Sequence, residues 1–216
     1  MKRLGAAILL LMLLKFPVRA AEVSGPVALT FEGFFPEAVA ALEDAGVRGT
    51  FFLSGAAQAQ AGRLAAGKHE IGVDLSGEGE MALLSRRQIH GRLCAAMEGL
   101  PEHIRPRWLR PPAVWGDGLV QVAKVTGFSL AGCSVDARKG LNSGIIDQVR
   151  SGDVIALGEI SREELGEFLR ILRSRHLKPV TLSELARFRV GKVFFGEFYE
   201  KFPAGTGGEE IRIWEW

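Results

Sequence analysis

Short apolar runs recur along this chain, and most are followed by a stretch in which apolar residues return every three or four positions. Val27-Ala28-Leu29 ends at Thr30-Phe31-Glu32-Gly33, and Val47 to Leu53 is a second β-rich run closed by Ser54-Gly55. Further strands are predicted over Gly67 to Val73, Arg107 to Pro112, Phe128 to Val135, Asp153 to Leu157 and Pro179 to Leu182. Between them lie helical patterns. Pro36 to Ala45 begins with a proline at its first position and stops at Gly46. A helix-like stretch of small residues runs to Ala66. Ser85 with Gln88 reads as a capping box for a helix reaching about Gly99, with Ile89, Leu93, Ala96 and Leu100 inward. Asp117 to Gly127, Ile145 to Arg150, the helix capped by Ser161 with Glu164, and Ser183 to Phe188 complete the set. Strand and helix alternating at this pace predict βα units around a parallel sheet or barrel.

The first 21 residues stand apart. Lys2 and Arg3 precede the apolar run Leu4 to Leu14, and Val18-Arg19-Ala20-Ala21 offers small residues at a cut site. That order is the one a secretory signal peptide has, and the run is short for a bilayer span. Secretion, or placement in the cell envelope, is therefore expected. Without the leader, Lys+Arg falls from 27 to 23 against 25 Asp+Glu, so the formal charge moves from +2 to about −2. Such a balance gives nucleic acid no electrostatic hold. Cys94 and Cys133 would meet an oxidising compartment; they either pair or stay as two buried thiols, one on a helix and one on a strand.

A carboxylate at the C-terminal end of a buried parallel strand stands where α/β folds place chemistry, which makes Glu32 the first candidate. The segment from Val190 to Trp216 differs from the rest, with Phe194, Phe195, Phe198, Tyr199, Phe202, Trp214 and Trp216 around the Pro203-to-Gly208 break. A hairpin sealing one end of a barrel is the expectation there, and a sugar platform or partner surface is the other reading.

Several strings together resemble the polysaccharide deacetylases. Val27 to Glu32, Gly49 to Gly55, His69 to Gly72, Arg110-Pro111-Pro112 and Thr181 to Leu185 fall in the order and approximate spacing of the NodB-homology domain, carbohydrate esterase family four. The resemblance implies a distorted (β/α) barrel of the NodB-homology type over residues 22–188, with residues 189–216 as a C-terminal aromatic extension. It also implies a divalent metal, usually zinc, held by one Asp and two His, with a second Asp as base and a late His as acid. Members remove acetyl groups from chitin-like or peptidoglycan glycans.

This sequence departs from the family pattern at the chemistry. Thr30-Phe31-Glu32-Gly33 keeps one acid where two are expected, the two His ligands fall on Asp74 and Glu78, and Gly158 stands at the general acid's place before Glu159. His69, His90, His103 and His176 do not lie where a ligand is expected. Arg110 matches the arginine that orients the base, with Asp136 as its expected carboxylate partner, and Pro112 and Trp115 are candidate substrate contacts. The expected function is that of a deacetylase-family protein facing an extracellular or envelope N-acetylated glycan, with metal-dependent C–N hydrolysis impaired or lost, a pseudoenzyme. The alternative is a hydrolase with a carboxylate-only site. In it, Glu32, Asp74 and Glu78 would hold a non-zinc metal, or two of Glu32, Asp74, Glu78, Asp136 and Glu159 would act as a glycosidase-like acid/base pair. No stable membrane span is expected.

Overall fold

The computed structural model describes residues 24–202. The leader expected over residues 1–21 and the tail beyond Phe202, with Trp214 and Trp216, lie outside the described residues. In chain order the elements are β1 (Gly25–Glu32), α1 (Pro36–Asp44), β2 (Thr50–Leu53), a 3-10 turn (Gly55–Gln60), α2 (Ala61–Ala66), β3 (Glu70–Asp74), α3 (Arg86–Met97), β4 (Trp108–Arg110) and α4 (Asp117–Thr126). They continue with β5 (Ser129–Ala131), β6 (Val135–Ala137), α5 (Ser143–Gln148), β7 (Val154–Leu157), α6 (Arg162–Ser174), β8 (Leu177–Val180), α7 (Leu182–Val190) and β9 (Phe198–Tyr199).

Strand order is β6-β7-β1-β2-β3-β4-β5-β9, with β8 also on β1, and every pairing between these strands is parallel. This is a curled sheet with helices outside, the distorted (β/α) barrel that the resemblance implies. β1 is its axis. At eight residues it is long enough to pair β8 along Gly25 to Ala28, β7 along Ala28 to Phe31 and β2 along Thr30 to Glu32. Residues Pro26 to Phe31 are all buried, as a strand covered on both faces must be.

Local signals set the helix starts. Ser85 and Gln88 form the capping box of α3, Ser161 caps α6, and Thr181 with Glu184 forms a second box at α7. α6 buries Leu165, Phe168, Leu169 and Leu172 against the α1 side of the sheet. Leu182, Leu185 and Ala186 of α7 join Trp108, Phe52, Val154 and Phe202 in a separate cluster that fills the barrel's base. Glu70, at the start of β3, accepts hydrogen bonds from Thr50 Oγ1 at 2.9 Å and from the Ser183 amide at 3.0 Å, tying two strands to the start of α7. Burial pushes its carboxyl above the usual range.

Two expectations change. The predicted strand from Phe128 to Val135 is two strands: β5 pairs β4, whereas β6 pairs β7 on the far side of the seam. Gly132-Cys133-Ser134 crosses between them, and Gly132 lies so close under Phe198 and Glu200 that a side chain there would collide. The described part of the aromatic extension is not a hairpin. β9 runs parallel to β5, and the residues after it close the seam: Lys201 bridges to Asp153, and the Phe202 amide donates to the Gly152 carbonyl at 2.8 Å.

Candidate functional site at the barrel mouth

The strands of a parallel barrel all present their C-terminal ends at one mouth, and here those ends carry Glu32 on β1, Asp74 on β3, Arg110 on β4 and Asp136 on β6. Arg110 is the buried cation among them, 4% exposed. Its guanidinium donates to the Ala131 carbonyl and to Thr30 Oγ1, each at 2.9 Å, and lies 4.5 Å from the centre of the Phe52 ring. Nε faces Glu32 Oε1 at 3.3 Å. Burial lowers the Arg110 pKa, opposed by Glu32. Thr30 in turn donates to the Ile155 carbonyl at 3.0 Å, so the arginine is fixed by three strands at once.

The expected Arg110–Asp136 pair is corrected by the structure. Asp136 is taken by Arg138, two residues further on, because the turn leaving β6 folds the longer side chain back over the strand end. Arg138 Nε and Nη2 donate to the two Asp136 oxygens at 2.9 and 2.7 Å, a bidentate fork. Its Nη1 reaches both Glu32 oxygens at 3.1 and 3.0 Å. One guanidinium therefore joins the two carboxylates, and Glu32 sits between two arginines. Hydrogen bonding from Arg138 holds Asp136 down to about 2, and Asp136 raises the Arg138 pKa in return. Arg138 is the site residue that sequence reasoning missed. In the sequence it is an arginine two positions past an acid at a strand end, a spacing that does not by itself fix the pairing.

Asp74 and Glu78 have separate partners. Asp74 is almost buried, its Oδ1 accepts the Ser76 amide at 2.8 Å, and burial pushes its carboxyl up. Glu78 lies in the exposed loop after β3 and faces Arg92 of α3 at 3.9 Å. Glu159 is exposed beyond β7. Gly158 is packed against its neighbour, and a Cβ there would run into the Arg138 carbonyl oxygen. Pro112 is buried, and Trp115 is half-buried with its ring 5.3 Å from that of Phe198.

A divalent ion does not fit this set. It needs oxygens or imidazoles with free lone pairs converging on one point. Both oxygens of Glu32 and both of Asp136 already accept from guanidinium, and two positive side chains stand where a third charge would enter. Among the described residues no three His, Cys, Asp or Glu side chains gather to hold a metal, so the carboxylate cluster of Glu32, Asp74 and Glu78 is not formed. Nor does a histidine take the ligand role. His69 is buried at the base beside β3, where its Nδ1 accepts the Gly49 amide at 3.2 Å, and His90 and His103 are exposed.

The two cysteines are unpaired. Cys94 is exposed on α3 with its sulfur 3.6 Å from His90 Nδ1, so the expectation of two buried thiols fails there. Cys133 is half-buried in the β5–β6 crossing, off either strand, and burial raises its thiol pKa.

No family model matches the chain, and no curated protein matches it in sequence. Solved structures do match. A family 4 acetyl xylan esterase from Clostridium thermocellum, in complex with a cobalt ion, is similar at a TM-score of 0.70 and 23% identity over 82% of this chain and 99% of that one. A family 4 pseudoenzyme from Bacillus anthracis is similar at 0.65 and 18%, over 82% and 70%. A peptidoglycan N-acetylglucosamine deacetylase is similar at 0.63 and 21%, over 75% and 88%. Strand order, curl and these likenesses agree: the chain has the NodB-like barrel fold of the family 4 carbohydrate esterases.

Proposed function

We propose that this protein is an exported, glycan-facing pseudoenzyme of deacetylase fold, retaining the cleft and lacking metal-dependent hydrolysis of acetamido groups. The observation that carries the reading is the double grip of Arg138 on Glu32 and Asp136. The cation at the mouth is part of the chain, so it brings no bound water to activate and no open coordination position for an acetyl oxygen. Gly158 adds a second deficit, because glycine carries no proton to a leaving amine, and absence of a general acid costs roughly 10²- to 10⁴-fold in rate. The glycan is suggested by the structural neighbours, one of them a peptidoglycan deacetylase and another an acetyl xylan esterase. Export is suggested by the leader pattern of residues 1–21.

A carboxylate-only hydrolase is the weaker reading. Asp136, held down to about 2, stays ionised at neutral pH and cannot serve as the acid of an acid/base pair. The test uses the chain from Glu22 onward, which keeps every described element, mixed with N-acetylated chitooligosaccharides or peptidoglycan fragments and with zinc or cobalt. Acetate release should stay at the level of the protein-free blank while the glycan is still retained by immobilised protein. Metal-dependent acetate release would overturn the proposal.

A further inference from the structure

The opposite end of the barrel carries a surface that the mouth does not explain. Of the large apolar side chains exposed among the described residues, Phe188, Val190, Phe194 and Phe195 fall within one short stretch, at 42, 41, 58 and 49% exposure. Arg187 and Lys192 are interleaved with them, both exposed. The stretch is held at the base of the barrel: the Phe194 carbonyl accepts from Ser129 Oγ, and the Gly196 amide donates to the Phe128 carbonyl, both at the start of β5. Arg107, just before β4, and Lys124, near the end of α4, lie on the same groove of about 850 Å³ with Arg187, Lys192, Phe194 and Phe195.

The charge there is one-sided. Lys192 and Arg187 lie against the rings of Phe194 and Phe188, at 5.5 and 6.0 Å, and among the described residues neither is paired with a carboxylate. Of the two acids on the groove, Glu184 is taken by Arg48 at 2.6 Å, leaving Glu197. Monomeric proteins rarely leave phenylalanines contiguous and exposed without a partner. Rings that insert beside cations that meet headgroups are the pattern of a surface lying on an anionic bilayer.

We propose that this base docks on an anionic lipid bilayer through Arg107, Lys124, Arg187 and Lys192, with Phe194 and Phe195 entering the interface, which turns the mouth away from the membrane. The contact is peripheral, since no helix among the described residues is long and apolar enough to cross. An acidic glycan would meet the same cations but fits the lining less well, because the groove offers phenylalanines and few neutral hydrogen-bonding side chains.

The experiment is co-sedimentation of the chain from Glu22 onward with vesicles of phosphatidylcholine alone or mixed equally with phosphatidylglycerol. Binding should require phosphatidylglycerol and weaken with salt. Arg187→Gln with Lys192→Gln should weaken it about thirty-fold, from roughly a factor of five per cation near an anionic surface. Phe194→Ser with Phe195→Ser should weaken it as well, with the circular dichroism spectrum unchanged because both side chains are exposed. Equal binding to both vesicles, binding to neither, retention on a polyuronate with no vesicle binding, or a dimer that the phenylalanine variant dissociates would each overturn the proposal. None of these outcomes depends on acetate release.

Discussion

Arg138 shows how one side chain changes what a barrel mouth does. Its fork on Asp136 and its reach to Glu32 are charge-assisted, and the group is always protonated, so the grip holds at any physiological pH. Replacing it should free Asp136. In Arg138→Met the Asp136 carboxyl, followed by NMR, is expected to titrate near its ordinary 3.8 in place of about 2. The sign follows from the depressed native value: the pair's stabilisation is complete above 3.8 and disappears as pH falls toward 2. The variant's stability should then fall less steeply over that acid window. At neutral pH the loss stays below about 1 kcal/mol, since the pair is half-exposed. An unchanged Asp136 titration would contradict the assigned pairing. Glu32 was legible from strand-end position alone, and Arg110 from the Arg110-Pro111-Pro112 string that carries the resemblance. The partner of Asp136 was not, because which of two arginines meets it depends on the turn after β6, a conformation that spacing does not encode.

The seam of the barrel is closed by elements that only tertiary contact defines. Gly152 has φ +91, and a Cβ on it would run into the Phe202 carbonyl, so the segment after β9 can lie along the β7 start only over glycine. Gly152→Ala should cost about 2–4 kcal/mol, from the left-handed backbone plus the overpacking. Hydrogen exchange at Phe202, whose amide bonds to Gly152, should accelerate before exchange in the β1 core does. Uniform acceleration across the sheet would show that the seam is not a separate unit. Elements marked by local chemistry were readable: the capping box at Ser85–Gln88, the Ser161 cap, the proline start of α1, and the glycine after α4 at φ +83. The break at Gly132 was not, since an apolar run reads the same whether its halves pair on one side of a seam or on both. For the same reason β9 looked like half a hairpin when its partner is β5, far back in the chain.

At the scale of the whole molecule the two ends of the barrel divide the charge. The mouth sets Glu32 and Asp136 against Arg110 and Arg138, a closed set of compensated charges, while the base gathers cations among exposed phenylalanines. The mouth decides whether a metal can be held at all. Calorimetric titration of the chain from Glu22 onward with zinc measures it most directly. The structure predicts no tight site at neutral pH, because every oxygen of Glu32 and Asp136 already serves a guanidinium. One zinc ion bound tightly per chain, with affinity lost in Glu32→Gln, would contradict it.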